Sequence, residues 1–303
     1  MAEDTTIHSD TKPERKIPPL DPEFYSLDDE EANFFKTWTG IQDEEQLKEH
    51  MFRVREKAYK VFPYPCIRRF AYAKLKISRF PAYQDLLKLG RERPGALFLD
   101  MACCFGNDAR KAVADGFPVK QVLASDLRPE FWQLGHELFR DTPEKFPATF
   151  IPGDVFDPNF LAVESPSVKS PTDPLPPLSN LKTLTPLHGR LSAIHASSFF
   201  HLFDEEQQLY VAKALASLLS PEPGSIIFGA HGGKSEKGFR IGPNVVAQDK
   251  PMFCHSPQSW TELWEKQVFQ EGQVRVWTKL VDVTMQGLDN IRREWLLYSV
   301  TRL

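Results

Sequence analysis

The chain has 303 residues, enough for one large domain or two modest ones and for a sizeable core without disulfides or metals. Its 37 Lys+Arg against 41 Asp+Glu leave a net charge of −4, so there is no basic surplus to attract nucleic acid or an anionic membrane. Hydrophobic residues at 41% and charged residues at 26% mark a globular protein, while 23 Phe and 25 Pro alternate large apolar surfaces with rigid turns.

Residues 1–23 are polar and Pro-containing (Pro13, Pro18, Pro19, Pro22), without a basic-then-apolar signal pattern, and read as a mobile tail. No apolar run reaches the ~20 residues of a membrane helix. Cys66, Cys103, Cys104 and Cys254 lack CxxC spacing and read as reduced thiols, which fits a cytoplasmic protein. The histidines and cysteines take no ligand spacing, so no metal is expected.

From Phe24 the pattern is helical. Leu27, Ala32, Phe35 and Trp38 recur near helical spacing, as do Leu47, Met51, Val54 and Ala58 behind an Asp43/Gln46 capping box. Phe62-Pro63-Tyr64-Pro65 interrupts, and Ile67, Phe70, Ala71, Leu75 and Ile77 suggest a further helix. Strands are expected at 96–99, 119–125, 149–151, 191–195 and 225–230, with helices near 106–116, 129–140 and 204–219 between them. Such alternation implies a parallel sheet covered on both faces. Segments 273–282 and 294–302, with the turn residues Gln286–Asn290 between them, read as a terminal antiparallel hairpin. This divides the chain into a tail (1–23), an N-terminal helical lid (24–95) and a core (96–303). The core carries a partly mobile insertion at 158–190, with prolines at 158, 166, 171, 174, 176, 177 and 186.

The stretch Phe98-Leu-Asp100-Met-Ala102-Cys-Cys104-Phe-Gly106-Asn-Asp108 sets an acid at a strand end, then a tight loop of small residues, then a helix start. Such a loop lets backbone approach a ligand closely, and the helix start offers free N–H groups. Of the three glycines of a dinucleotide loop only Gly106 is present; Ala102 and Cys104 suit an amino-acid moiety better than a pyrophosphate. Alone, the stretch reads equally as a plain strand–helix turn. Asp126 ends the second strand, 26 residues after Asp100, where its two oxygens can accept from both ribose hydroxyls. Asp154 follows the third strand, suited to an adenine amine. Each acid singly is commonly a turn or N-cap residue; three at successive strand ends make a nucleoside site.

These residues resemble the class I S-adenosylmethionine-dependent methyltransferases. More narrowly, they are similar to the fungal secondary-metabolite group that includes carboxyl methyltransferases of meroterpenoid pathways. The narrower likeness is carried by 34–41 (FFKTWTGI), 87–94 (LKLGRERP), 99–108 (LDMACCFGND), 124–127 (ASDL), 131–139 (FWQLGHELF) and 194–203 (IHASSFFHLF), and it runs from about Phe24 to the C-terminus. It implies a Rossmann-like, seven-stranded, mostly parallel sheet with an antiparallel last strand, and S-adenosyl-L-methionine as cofactor. It also implies that Asp100 orients the methionine amino group and that the backbone of Ala102 and Cys104 lines the methionine part. Asp126 would bind the ribose hydroxyls, Leu127 pack on adenine, and Asp154 with the Val155 N–H read its edge. His195 and Ala196 would face the sulfonium. Ala102 departs from the glycine usual in this loop. Ser197, Ser198 and His201 fall where the class places groups near the substrate, and His195 and His201 are the candidate bases, each equally readable as a structural histidine.

In-line methyl transfer needs alignment, and a base only if the acceptor arrives protonated. A carboxylic acid of pKa ~4 is ionised at neutral pH, whereas a phenol of pKa ~10 is not. The lack of an unmistakable base therefore favours a carboxylate. Phe24, Tyr25, Phe34, Phe35, Trp38, Tyr59, Phe62 and Tyr64 form an aromatic roof for an apolar substrate, with Tyr25, Phe35 and Trp38 as its lining. Arg68, Arg69 and Lys74 are partners for an anion or solvated surface charges, and His231-Gly-Gly233 reads as a mobile substrate-side turn. The expectation is an O-methyltransferase forming a methyl ester on a small apolar terpenoid or polyketide acid. The alternatives are a phenol or alcohol methyltransferase with a histidine base, and a non-catalytic binding protein of the same fold. No nucleic-acid or membrane partner is expected, and the oligomeric state, a homodimer included, is open.

Overall fold

A computed structural model describes residues 17–240, 251–284 and 292–303. Most of the expected tail and the turn at 286–290 lie outside these residues. Among the described residues nine strands are present: β1 (Leu97–Met101), β2 (Val122–Ser125), β3 (Thr149–Phe150), β4 (Leu191–His195), β5 (Ile226–Gly232), β6 (Gly238–Arg240), β7 (Met252–Cys254), β8 (Val274–Thr284) and β9 (Arg292–Arg302). Seven form one sheet in the order β3-β2-β1-β4-β5-β9-β8; β6 and β7 pair separately. β1 to β5 run parallel, and β9 lies antiparallel between β5 and β8. The order reverses between β1 and β4, so a crevice opens outside their carboxyl ends. Both strands are buried along their whole length, as a parallel sheet covered on both faces requires.

The helices are α1 (Asp29–Thr39), α2 (Glu44–Val61), α3 (Pro65–Arg68), α4 (Tyr83–Glu92), α5 (Asn107–Ala114), α6 (Pro129–Phe139), α7 (Glu205–Leu218) and α8 (Pro257–Glu262), the last continued by a π-helical turn at Leu263–Val268. None of them is long and apolar enough to cross a membrane. Their starts follow from local chemistry. Asp28 with Glu31 and Asp204 with Gln207 form reciprocal capping boxes, and Asp43 accepts the Gln46 N–H. Among the described residues Gln46 makes no return bond, so the expected box at α2 is half formed.

The N-terminal segment is packed into the molecule. Phe35 stacks on Phe139 of α6 at 5.4 Å, and Trp38 meets Phe139 and Phe146 edge-on. The buried Glu31 carboxylate accepts from Lys74 at 2.8 Å and Arg79 at 3.0 Å, tying α1 to the stretch before α4. Phe35 is fully buried in this packing, while Trp38 stays partly exposed. Tyr25 likewise packs on Phe52 and Phe70.

Three local expectations are corrected. Residues 67–77 do not form one helix: α3 ends at Arg68, Phe70 takes the left-handed conformation with φ 53°, and short turns at Ala71–Ala73 and Ile77–Arg79 follow. The Tyr72 carbonyl is bound by the Asn107 side chain, so tertiary contact replaces a helical bond. His231-Gly-Gly233 is no mobile turn, since β5 runs through Gly232 and His231 is buried. There the glycines permit close packing: a Cβ on Gly233 would stand 2.7 Å from Leu296 Cβ. The Pro-rich insertion lacks long elements, yet Phe160, Leu161, Leu181, Leu184 and Leu187 bury themselves beside β4 and α7. Its ends are core; only its middle is exposed.

Gly135 in α6 faces the loop after β1, and a Cβ there would meet the Phe105 carbonyl oxygen at 2.2 Å. In an open helix Gly→Ala is favourable by about 1 kcal/mol. Here Gly135→Ala should instead destabilise by about 1–3 kcal/mol, as overpacking does. A lowered urea midpoint checks this.

Candidate active site

The loop between β1 and α5 is bent by three left-handed residues, Ala102 (φ 56°), Cys104 (φ 51°) and Gly106 (φ 69°). Only Gly106 adopts this without a Cβ penalty. The other two are held by bonds from outside the loop. The Cys104 N–H donates to Asp126 at 2.9 Å and the Cys103 N–H to the Ser125 carbonyl at 3.1 Å, both from the end of β2. Arg110, fully buried in α5, donates to the Phe105 carbonyl at 2.8 Å and grips Asp141 through two nitrogens. Arg110 and His136 together hold the Asp141 carboxyl below its ordinary pKa, against the opposing effect of burial.

Asp126 turns one oxygen to Cys104 and the other to the Arg128 N–H at 3.0 Å. Each oxygen keeps an accepting lone pair, so the carboxylate can still take two hydroxyls. Burial raises its pKa and the two N–H bonds oppose this. Beside it Leu127 stands exposed at 56%, an apolar side chain free to cover a flat ring. The Gly153 N–H donates to the Asp126 carbonyl, which brings the 153–155 turn alongside. In that turn Asp154 is exposed and caps the Phe156 N–H, while Val155 is buried.

At the ends of β1 and β4, Asp100 Oδ1 accepts from His195 Nδ1 at 2.9 Å, and His195 Nε2 meets Ser197 Oγ at 2.8 Å. Ser197 Oγ also accepts the Ala230 N–H. Burial lowers the His195 pKa, but the bond to Asp100 and the fields of Asp108 and Asp100 more than offset it, so the net shift is upward. Asp100 Oδ2 is buried without a partner. Asp108, in the first turn of α5, joins Asp100 and His195, their ligand atoms all lying within 4.8 Å of one another. This corner suits a cationic group.

His201 differs. Its Nδ1 accepts the Gly232 N–H at 3.1 Å, so the neutral ring carries its proton on Nε2. Burial, reinforced by Arg240 and Lys76, pulls its pKa down to about 4. Ala196 has no free backbone group: its N–H bonds Phe228 and its carbonyl accepts the Tyr298 hydroxyl. Ser198 is left-handed, with its N–H on the Ala230 carbonyl.

The structure therefore brings together Asp100, Ala102, Cys104, Asp126, Leu127, His195 and Ser197, with Asp154 and Val155 alongside. Aromatic side chains from 64–80 stand beside these residues. Tyr64 stands over Phe131 within range of Asp126, Tyr72 packs on Phe105, and Phe80 touches His195 at 5.8 Å. Asp108 closes the sequence motif and was legible there; Lys76 and Phe80 carry no sequence signal of their own.

Residues 20–73 match the meroterpenoid methyltransferase N-terminal domain. Over 224 residues the chain is 34% identical to the asnovolin E/chermesin D methyltransferase nvfJ of Aspergillus novofumigatus, covering 73% of this chain and 70% of that one. It is 32% identical over 228 residues to the O-methyltransferase phiE of Fungal sp. (strain ATCC 74256), covering 75% and 67%. With the methyltransferase ausD of Aspergillus calidoustus it shares 29% over 257 residues, covering 84% and 80%. All three of these relatives are methyltransferases. The chain belongs to the fungal secondary-metabolite methyltransferase family represented by these relatives.

His231 and His255 are buried and held neutral, His255 with a pKa of about 4 and His231 well below its ordinary value, both chiefly through burial. An unfolded histidine titrates near ~6.5. Between that value and pH ~4 the unfolded chain binds more protons, so stability falls as pH falls, by up to about 1.4 kcal/mol per pH unit for each ring. His255→Gln should flatten this decline by one share in urea titrations over that range.

Proposed function

We propose that the protein is an S-adenosylmethionine-dependent O-methyltransferase that forms a methyl ester on a small apolar carboxylic acid of terpenoid or polyketide origin. The residues fit the cofactor. The unpartnered Asp100 Oδ2 and neighbouring Asp108 suit the methionine ammonium, the left-handed loop from Ala102 to Gly106 admits close backbone approach, and Asp126 retains acceptors for two ribose hydroxyls. Leu127, Asp154 and Val155 would take the adenine. When bound, the cofactor supplies the methyl group. The chain's part is to align the acceptor and exclude water.

The observation that carries the acceptor class is the state of the two histidines. His201 has its accepting nitrogen used by Gly232 and can only donate; His195 has both nitrogens used by Asp100 and Ser197. With neither free as a base, an acceptor that arrives ionised fits best, and a carboxylate does so at neutral pH. The second reading rests on the Asp100–His195–Ser197 relay, which can draw a proton from a phenol or alcohol through the serine hydroxyl.

A pH–rate profile separates them. For a carboxylate acceptor kcat/KM should stay flat from about pH 6 to 8.5, above the acid's pKa. A rise through a histidine-like pKa, abolished in Ser197→Ala, would establish the relay instead.

Asp126→Ala should weaken S-adenosylhomocysteine binding about tenfold to a hundredfold, the value of hydrogen bonds to a charged acceptor. It should also lower Tm, because the Cys104 and Arg128 N–H groups lose their partner. Calorimetric titration beside thermal melts reads both, and unchanged affinity in a folded variant removes Asp126 from the site.

A further inference from the structure

Positive charge gathers on the acceptor side of the site, and the fold itself does not use all of it. Two of the cations near it are spent on structure: Arg68 donates to the Pro19 carbonyl and covers Phe24, and Lys74 is taken by Glu31 and the Ser26 carbonyl. Arg69 is not, for its Nε is buried without an acceptor. Nor is Lys76. Its half-buried side chain carries the ammonium to 5.9 Å from the Trp295 ring centre, and among the described residues it donates to no carboxylate or carbonyl. Both cations lie in electrostatic range of Cys66, and burial lowers the pKa of each. Lys76 also acts on both His195 and His201, the two histidines after β4. Withdrawing a cation from water is costly unless an anion compensates. Asp108 and Glu31 act on Lys76 only through space, so two cations without a bonded anion are arranged for one that comes from outside.

We propose that Lys76, seconded by Arg69, receives the carboxylate of the methyl acceptor and selects acids over alcohols of the same skeleton. The inference rests on the carboxylate reading above and names the residues that impose it. The ammonium and the guanidinium supply charge-assisted bonds. Trp295 offers an apolar face for the rest of the acceptor, and the proton on His201 Nε2 is a further neutral donor. Neither cation can take a proton from the acceptor, so the pair binds an anion already formed.

The wild-type enzyme is first given terpenoid and polyketide acids alongside their primary alcohols and phenols of similar size. Preference for alcohols or phenols overturns the carboxylate reading itself, before any variant is made. The best acid is then titrated calorimetrically into S-adenosylhomocysteine-saturated enzyme at low and high salt. Lys76→Gln should bind the acid about tenfold to a hundredfold more weakly, and Arg69→Gln about threefold to tenfold. Lys76→Arg should restore most of the affinity. The salt dependence of acid binding should flatten in Lys76→Gln while its affinity for S-adenosylhomocysteine stays within about twofold. Acid affinity equal to wild type in Lys76→Gln overturns the proposal. So does loss of S-adenosylhomocysteine affinity with acid binding intact, which would make Lys76 a cofactor ligand.

Discussion

The turn that leaves β1 at Met101 and starts α5 at Asn107 is the constraint on which the site depends. It contains two left-handed residues that bear side chains, each of which costs of order 1–3 kcal/mol unless its surroundings over-determine it. The surroundings here act from three sides. Asp126 holds the Cys104 N–H, Arg110 holds the Phe105 carbonyl, and Gly135 lets the α6 backbone come against that same carbonyl. Asp126 thus serves twice, since the group that fixes the loop also retains the acceptors suited to a ribose. Loop shape and ligand recognition are consequently coupled in one carboxylate, and a substitution there is felt by both.

The electrostatics divide the strand ends into two sides. On the β1 side lie Asp100, Asp108 and Asp126, with His195 drawn upward in pKa by its acids. On the β5/β9 side His201 is neutral and Arg240 and Arg293 are positive, while Lys76 stands between the two sides, in range of Asp108 and His195 as well as of His201. A cationic ligand would be favoured on the first side and an anionic one on the second.

The sheet was legible because buried parallel strands write themselves as short apolar runs between amphipathic helices, as 97–101 and 191–195 do. Asp43 announced the start of α2 by local chemistry alone. The three acids were legible for the same reason: position at a strand end follows from strand boundaries. What failed was everything decided by tertiary contact. Residues 67–77 have apolar spacing compatible with a helix, but Phe70 packs under Arg55 at 4.3 Å and Asn107 captures the Tyr72 carbonyl. Aromatic content does not say which way a helix faces, so the packing of Phe35 and Trp38 on Phe139, 104 and 101 residues away in sequence, was not legible. The insertion was read as loose because its prolines conceal five buried apolar side chains.

These misreadings have a common source, and it bears on how the protein works. The N-terminal segment is less a cover laid over a finished core than a wall of the site itself. α1 and α2 anchor on α6 through Phe35, Phe139 and the Lys57–Glu137 ion pair. The buried Glu31 of α1 holds Lys74 and Arg79, which flank Lys76 in the sequence. Tyr72 meanwhile packs on Phe105 of the left-handed loop, and its carbonyl is bound by Asn107 at the start of α5. One continuous stretch, 64–80, therefore touches the loop suited to the cofactor and carries the cations suited to the acceptor. In a Rossmann-like sheet the parallel strand ends supply acids and backbone donors but few long cationic side chains. A preceding helical segment can add that charge without altering the sheet. The charge at the strand ends can then change within the segment while the loop after β1, held by Asp126, Arg110 and Gly135, stays as it is.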